Sequence, residues 1–210
     1  QGLTKMGDFH QQGIVTSLHQ LNTRSLEDLE AELLELSRDN PMALVLPSLY
    51  SELEGTALPR ILDELSGVNY LDQIVVGLDR ANEHQFKQSL KFFSRLPQRP
   101  NILWNDGPRL RAIDALLQSH GLAPGQPGKG RNVWFMFGYV LATGKANSIA
   151  LHDCDILTYK RELLARLIYP VVNSSLGYKF CKGYYARTAS QKMHGRVCRP
   201  ALLHLADAVG

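Results

Sequence analysis

Asp153 and Asp155, two carboxylates at positions i and i+2, flank Cys154 directly after the apolar stretch SIALH at residues 148–152. Side chains alternate along an extended chain, so i and i+2 point the same way at a strand exit. Such a pair offers hard oxygen donors to Mg²⁺ or Mn²⁺, ions that keep positions open for phosphate oxygens. One carboxylate would take the cation while the other orients a ribose or a metal-bound water. The same residues could equally be two solvated acids in a loop. Gly128, Lys129 and Gly130 open a helical pattern. Glycines let the backbone approach an anion, a helix N-terminus is partly positive, and lysine adds a point charge. A flexible Gly/Pro linker is the other reading, and the spacing of a Walker A loop is lacking.

Two further groups follow apolar runs. Pro47, Ser48, Leu49, Tyr50, Ser51 and Glu52 read as a turn whose backbone could bond a base and whose glutamate could accept from a ribose or base donor, or as a plain capped turn. Asp79 closes a second run, where it could read a uracil or ribose edge or cap the next helix. Gly195 and Arg196 lie in a basic stretch with Lys182, Arg187, Lys192 and Arg199. Arginine binds carboxylate and phosphate bidentately, which would suit a small anionic acceptor; a solvated basic surface fits as well. The seven histidines are scattered without zinc-ligand spacing, and His152 reads as a structural neighbour of the acidic pair.

The elements that must position these residues alternate. Ser25 caps a helix with leucines at 26, 29, 33 and 36, and Asp28 sits in the capping-box position. Residues 42–46 (MALVL), 73–78 (QIVVGL) and 148–152 read as buried strands, and 101–104 as a further strand. Residues 57–65, 82–96, 109–117, 132–142, 160–168 and 200–209 read as helices. In the third of these Leu110, Ile113 and Leu117 are expected to face inward, as are Phe86, Leu90 and Phe93 in the second, and Val133, Phe137 and Leu141 in the fourth. Alternation implies a mainly parallel sheet whose ligands gather beyond the carboxyl ends of its strands, so the clusters at 47–52, 77–79 and 153–155 should surround one cleft. The expected layout is an arm and helix over 1–40 and an α/β domain over 41–210.

Bulk properties exclude several classes. With 44% hydrophobic and 20% charged residues the 210-residue chain suits one domain with a core. A net charge of +3 is too small to argue for nucleic acid. No apolar run is long enough for a membrane span, and residues 1–19 lack the blocks of a signal peptide. Three cysteines make no disulfide framework, and the expectation is a cytoplasmic protein.

Taken in order, PSLYSELEGTALPRIL, QIVVGLD, PGKGRNVW, SIALHDCDIL, KGYYAR and HGRV resemble the glucosyl-3-phosphoglycerate synthases over about residues 40 to 200. The resemblance implies a GT-A fold, Rossmann-like and mainly parallel. It implies retaining transfer of glucose from a nucleotide sugar to D-3-phosphoglycerate with Mg²⁺ or Mn²⁺. UDP-glucose is the preferred donor and GDP-glucose the alternative, in a homodimer. The family's donor loop, Pro-Ala-Leu-Asn-Glu, falls on Pro47 to Ser51. Pro47 and Leu49 match, while Tyr50 and Ser51 depart and leave the acidic role to Glu52. Its uridine contact falls near Gly77, Leu78 and Asp79, where Leu78 lacks the family's hydroxyl. Lys129 matches the loop lysine, Asp153 and Cys154 the nucleotide contacts, and Asp155 the metal ligand. Gly195, Arg196 and Val197 match the acceptor loop, with Cys198 standing for threonine. The family's later segment, with a histidine metal ligand and closing arginines, finds no match before Gly210, so an incomplete metal site is expected. Mannosyl or other sugar transfer to glycerate or phosphoglycerate, nucleotidyl transfer, and nucleotide binding without catalysis are the alternatives.

Overall fold

The computed structural model describes residues 24–183, 187–189, 192–194 and 202–204. Helix α1 (Leu26–Leu36) starts where Ser25 Oγ accepts from the Asp28 N–H at 3.1 Å, with Leu29 and Leu33 buried and Leu26 and Leu36 packed at the margin. Strands β1 (Met42–Leu49), β2 (Gln73–Asp79), β3 (Asn101–Trp104) and β4 (Ser148–Leu151) are parallel, in the order β3-β2-β1-β4. The helices between them are α2 (Ala57–Leu65), α3 (Glu83–Phe93), α4 (Pro108–Ser119) and α5 (Lys129–Thr143), with α6 (Arg161–Val172) after β4.

Near-continuous apolar strands need cover on both faces, and the side-chain alternation divides that task. Met42, Leu44, Leu46, Ile74 and Val76 join Leu58, Ile61 and Leu62 of α2, Leu33 of α1 and Ile168 of α6 in the larger core cluster. Ala43, Val45, Val75, Ile149 and Leu151 face the other way, onto Met136 and Val140 of α5.

Five expectations need correction. Pro47 does not begin a turn; β1 continues to Leu49, and a 3₁₀ helix, Tyr50–Glu54, follows. Val45 O accepts from the His152 N–H at 3.2 Å, so the odd residues of β1 turn their backbone toward β4. The last β1–β4 pair is Val45 with Leu151, and Pro47 lies beyond it, where a missing N–H breaks no ladder bond. Residues 200–209 are not a helix throughout: β7 (Leu202–His204) pairs antiparallel with β4. A short apolar run carries too few turns for periodicity to decide, and the free flank of β4 offers it a ladder. Two other short strands, β5 (Arg187–Ala189) and β6 (Lys192–His194), form an antiparallel pair.

The remaining corrections concern helix faces. In α4 no residue is buried and Ile113 is 46% exposed. Leu90 of α3 is 45% exposed; Phe93 is buried as expected, and Ser89 turns inward in place of Leu90. In α5 the inward residues are Asn132, Phe135, Met136 and Val140; Val133 and Phe137 lie at the margin and Leu141 is exposed. Apolar residues occupy most of the circumference of α5, so spacing alone selects no face. Among the described residues no helix is long and apolar enough to cross a membrane.

Candidate active site

The parallel register fixes the geometry of the strand exits. Pro47 pairs with Gly77 and Leu49 with Asp79, while β4 ends opposite Val45 and releases residues 152–155 at the same sheet edge. Helix α5 points its N-terminus at this edge, with Gly128 at φ 156° as N-cap and Lys129 as first helical residue. The extended φ there is open to glycine, and backbone N–H groups of the first turn face outward without intrahelical partners. Between these ends lies a cleft of about 320 Å³. Pro47, Ser48, Leu49 and Glu52 line it from β1 and the turn beyond, Asp79 from the end of β2 and Arg80 from the turn after it, Lys129, Arg131 and Asn132 from α5, and Asp153, Cys154 and Asp155 from the segment after β4. The predicted meeting of three strand-end clusters is therefore found.

Four predicted residues are not at the wall. Tyr50 turns aside, its hydroxyl donating to Gln88 Oε1 at 2.6 Å, and Ser51 is exposed on the 3₁₀ helix. Leu78 is fully buried, and Gly77 lies beneath Asn132. Gly195, Arg196, Val197 and Cys198 lie outside the described residues.

The acids of the cleft stand in three different states. Lys129 Nζ donates to Asp153 Oδ1 at 2.5 Å, and that carboxylate is three-quarters shielded. Asp155 is exposed and, among the described residues, accepts no hydrogen bond and forms no ion pair. Glu52 Oε2 accepts from the Leu49 N–H at 3.0 Å; burial pushes its carboxyl above the usual range, and the nearby charge of Asp155 adds to this. Cys154 is buried below the acids, and burial first, then Glu52, drives its thiol well up, so it is a neutral packing group.

At the other end Asp79 Oδ1 accepts from Asn105 Nδ2 at 2.9 Å, and burial raises its carboxyl. Asp106 Oδ2 accepts from the Ala81 N–H at 3.0 Å, pinning the turn after β2 together with Trp104 Nε1, which donates to Ala81 O at 2.7 Å. Arg80 stands in that turn with φ 57°, a left-handed backbone uncommon outside glycine. Arg131 and Asp114 pair at 3.4 Å, both side chains mostly shielded. Arg80, Asp106, Arg131 and Asn132 escaped the sequence reading. Arg131 adjoins the Gly-Lys-Gly stretch and Arg80 adjoins Asp79, so position was their available signal; Asn132 had none.

The donor chemistry fits a divalent cation of one kind. Among the described residues no three His, Cys, Asp or Glu side chains form a cage. Of the described acids that line the cleft, Asp155 alone presents an unpaired carboxylate, which suits Mg²⁺ or Mn²⁺ held by one or two carboxylates with phosphate oxygens and water filling the rest.

His152 belongs to the scaffold. It is 1% exposed, its Nδ1 lies 3.0 Å from Tyr159 Oη, and burial lowers its pKa from 6.5 to about 3. The unfolded chain takes up this proton as pH falls below 6.5 and the folded chain does not, so stability is lost from there toward pH 3. His152→Asn should flatten the dependence of urea midpoint on pH between about 6 and 4 by close to one proton, about 1.4 kcal/mol per pH unit. An unchanged slope would place the acid sensitivity elsewhere.

No protein-family model matches the chain. A glucosyl-3-phosphoglycerate synthase of Persephonella marina (strain DSM 14350 / EX-H1) is 48% identical over 194 residues, covering 92% of this chain and 48% of that protein. One of Methanococcoides burtonii (strain DSM 6242 / NBRC 107633 / OCM 468 / ACE-M) is 35% identical over 205 residues, covering 96% of this chain and 50% of that protein. The chain thus spans about half the length of the curated relatives it matches. Among solved structures, glucosyl-3-phosphoglycerate synthase from Mycobacterium tuberculosis, in complex with Mn²⁺, UDP and glucosyl-3-phosphoglycerate, gives a TM-score of 0.54 at 16% identity, over 80% of this chain and 50% of that one. That likeness establishes the GT-A fold. Over the stretch that it spans, the chain is homologous to the glucosyl-3-phosphoglycerate synthases.

Proposed function

We propose that the chain is the nucleotide-sugar-binding part of a metal-dependent retaining glucosyltransferase that moves glucose to D-3-phosphoglycerate. The observation that carries this reading is Asp155: an unpaired carboxylate in a cleft whose other acids are bonded, facing the N-terminus of α5 and Lys129. The names of the two curated relatives and the Mn²⁺, UDP and glucosyl-3-phosphoglycerate of the mycobacterial complex support the same assignment. UDP-glucose is the donor favoured by that complex, with GDP-glucose the competitor that Asp79 and Arg80 leave open.

In this scheme Lys129 exchanges Asp153 for the donor diphosphate, and the first-turn N–H groups of α5 add partial positive charge. Asp153, released, accepts from ribose hydroxyls. Asp155 holds Mg²⁺ or Mn²⁺, which when bound supplies charge neutralisation for the departing diphosphate. No cleft residue stands out as a nucleophile, so the chain acts by positioning and electrostatics. Gly195, Arg196, Val197 and Cys198 are the proposed acceptor contacts. Residues 1–40 as arm and helix, residues 41–210 as the GT-A unit, a homodimer and a cytoplasmic setting complete the proposal.

Calorimetric titration with UDP-glucose and GDP-glucose, with and without Mn²⁺, tests it. The expected result is Mn²⁺-dependent binding of at least one donor. Turnover should then release a nucleoside diphosphate; pyrophosphate release from a triphosphate would identify nucleotidyl transfer instead. Binding of neither donor would overturn the reading for this chain.

A further inference from the structure

Asn132 sits one turn into α5 and is 2% exposed. Its Nδ2 donates to the Gly77 carbonyl at 2.8 Å, while its Oδ1 is buried without a partner. An unpaired buried carbonyl opposes folding, so the carboxamide is retained against its own desolvation. The opposing residue has no side chain to offer. A Cβ at Gly77 would stand 1.8 Å from Asn132 Oδ1 and 2.9 Å from Met136 Sδ, so Gly77 and Asn132 form a matched pair.

The pair lies where the cleft needs registration. The Asn132 N–H donates to Gly128 O at 3.0 Å, which ties the residue to the turn bearing Lys129. Gly77 lies two residues before Asp79 on β2. The other contacts of α5 with the sheet are mostly apolar, through Met136 and Val140, and apolar packing is non-directional and does not fix height along a helix axis. A second side-chain tie, Thr143 Oγ1 to Gln73 Oε1 at 3.3 Å, holds the far end of the helix. We propose that Asn132 is a positioning residue. Its bond to Gly77 sets the height of the α5 N-terminus, and hence of Lys129, against the β2 wall of the cleft. This rests on the nucleotide-sugar reading.

Four variants of the full chain test it, with UDP plus Mn²⁺ as probe and hydrogen exchange as a ligand-free readout. Asn132→Leu removes the donor at similar volume. It should weaken UDP binding about tenfold and speed exchange at amides 132–135, the first that are hydrogen-bonded within α5, while exchange in β1 and β2 and the melting midpoint hold. Asn132→Asp should bind weakly at about pH 8 and recover toward the parent near pH 5.5, because only the protonated carboxyl can donate to Gly77 O. Asp79, Arg131, Lys129 and Asp153, the charged groups facing this position, are common to both variants, so recovery absent from Asn132→Leu belongs to the introduced carboxyl. Gly77→Ala should unfold the parent at lower temperature but be tolerated with Asn132→Ala, a coupling that marks the pair as matched. Unchanged UDP affinity together with unchanged exchange in Asn132→Leu would overturn the proposal. A parent chain that binds no UDP would sink the functional reading, and exchange at 132–135 would still decide whether Asn132 sets the helix.

Discussion

Asp155→Ala should lower Mn²⁺-dependent donor binding and turnover by about 100-fold or more, the scale expected when a group aimed at developing charge is removed. The fold should not register the change, since the side chain is exposed and has no hydrogen-bond partner among the described residues. A melting midpoint equal to the parent's, beside a lost Mn²⁺ dependence, is therefore the expected pair of results. Asp153→Ala should behave differently. It frees Lys129, whose ammonium then meets the diphosphate without first leaving a carboxylate, so part of the loss of ribose contact is offset. Full turnover of Asp155→Ala at saturating Mn²⁺ would remove the cation from that carboxylate.

A comparable effect on stability is expected from Leu44→Ala. Leu44 is completely buried in the middle of β1, paired with Ile74 on one side and Ala150 on the other, and it belongs to the larger core cluster. Truncation removes a large apolar group from a site walled by regular strands and helices that cannot collapse freely, so the cost should be about 2–5 kcal/mol. Urea unfolding should show a lower midpoint at unchanged slope. Leu90→Ala provides the contrast: at 45% exposed, its loss should leave the midpoint within about 0.5 kcal/mol of the parent. Equal losses at the two positions would contradict the layer assignment given above.

Legibility in the sequence followed how many constraints a segment carries. MALVL and QIVVGL could be read as strands because both faces of a central parallel strand must be apolar, and SIALH followed by two acids announced a strand exit. The convergence of the strand ends at 47–52, 77–79 and 153–155 followed from topology once the strands were parallel, although Tyr50, Ser51, Gly77 and Leu78 stay off the wall. Helix faces were harder. Helix α4 buries none of its residues fully, so its leucines and isoleucine mark no core face, and α5 is apolar nearly all round. Pro47 was misread because whether a proline breaks a strand depends on which flank its nitrogen faces, a matter decided by where β4 stops. Asn132 was invisible because its role exists only opposite the missing side chain of Gly77, fifty-five residues away. Arg80 gave no sign of its left-handed backbone.

The neighbours of β1 come from very different distances along the chain. Val45 meets Val75 on one side and Leu151 on the other, and the second seam encloses α2, α3, α4 and α5 in a single loop. Glu52 and Asp79 belong to the near side of that seam, Asp153 and Asp155 to the far side. During synthesis, then, the first half of the cleft emerges long before the half that bears the free carboxylate. Joining the two demands closure of a long loop, whose entropy must be overcome before any ligand can reward it. A polypeptide stopped ahead of β4 would keep a core-forming β1–β2 pair and hold no recognisable donor site. Donor binding thus reports completion of the sheet, and a donor-induced thermal shift would serve as an assay for whether newly made chains have closed it.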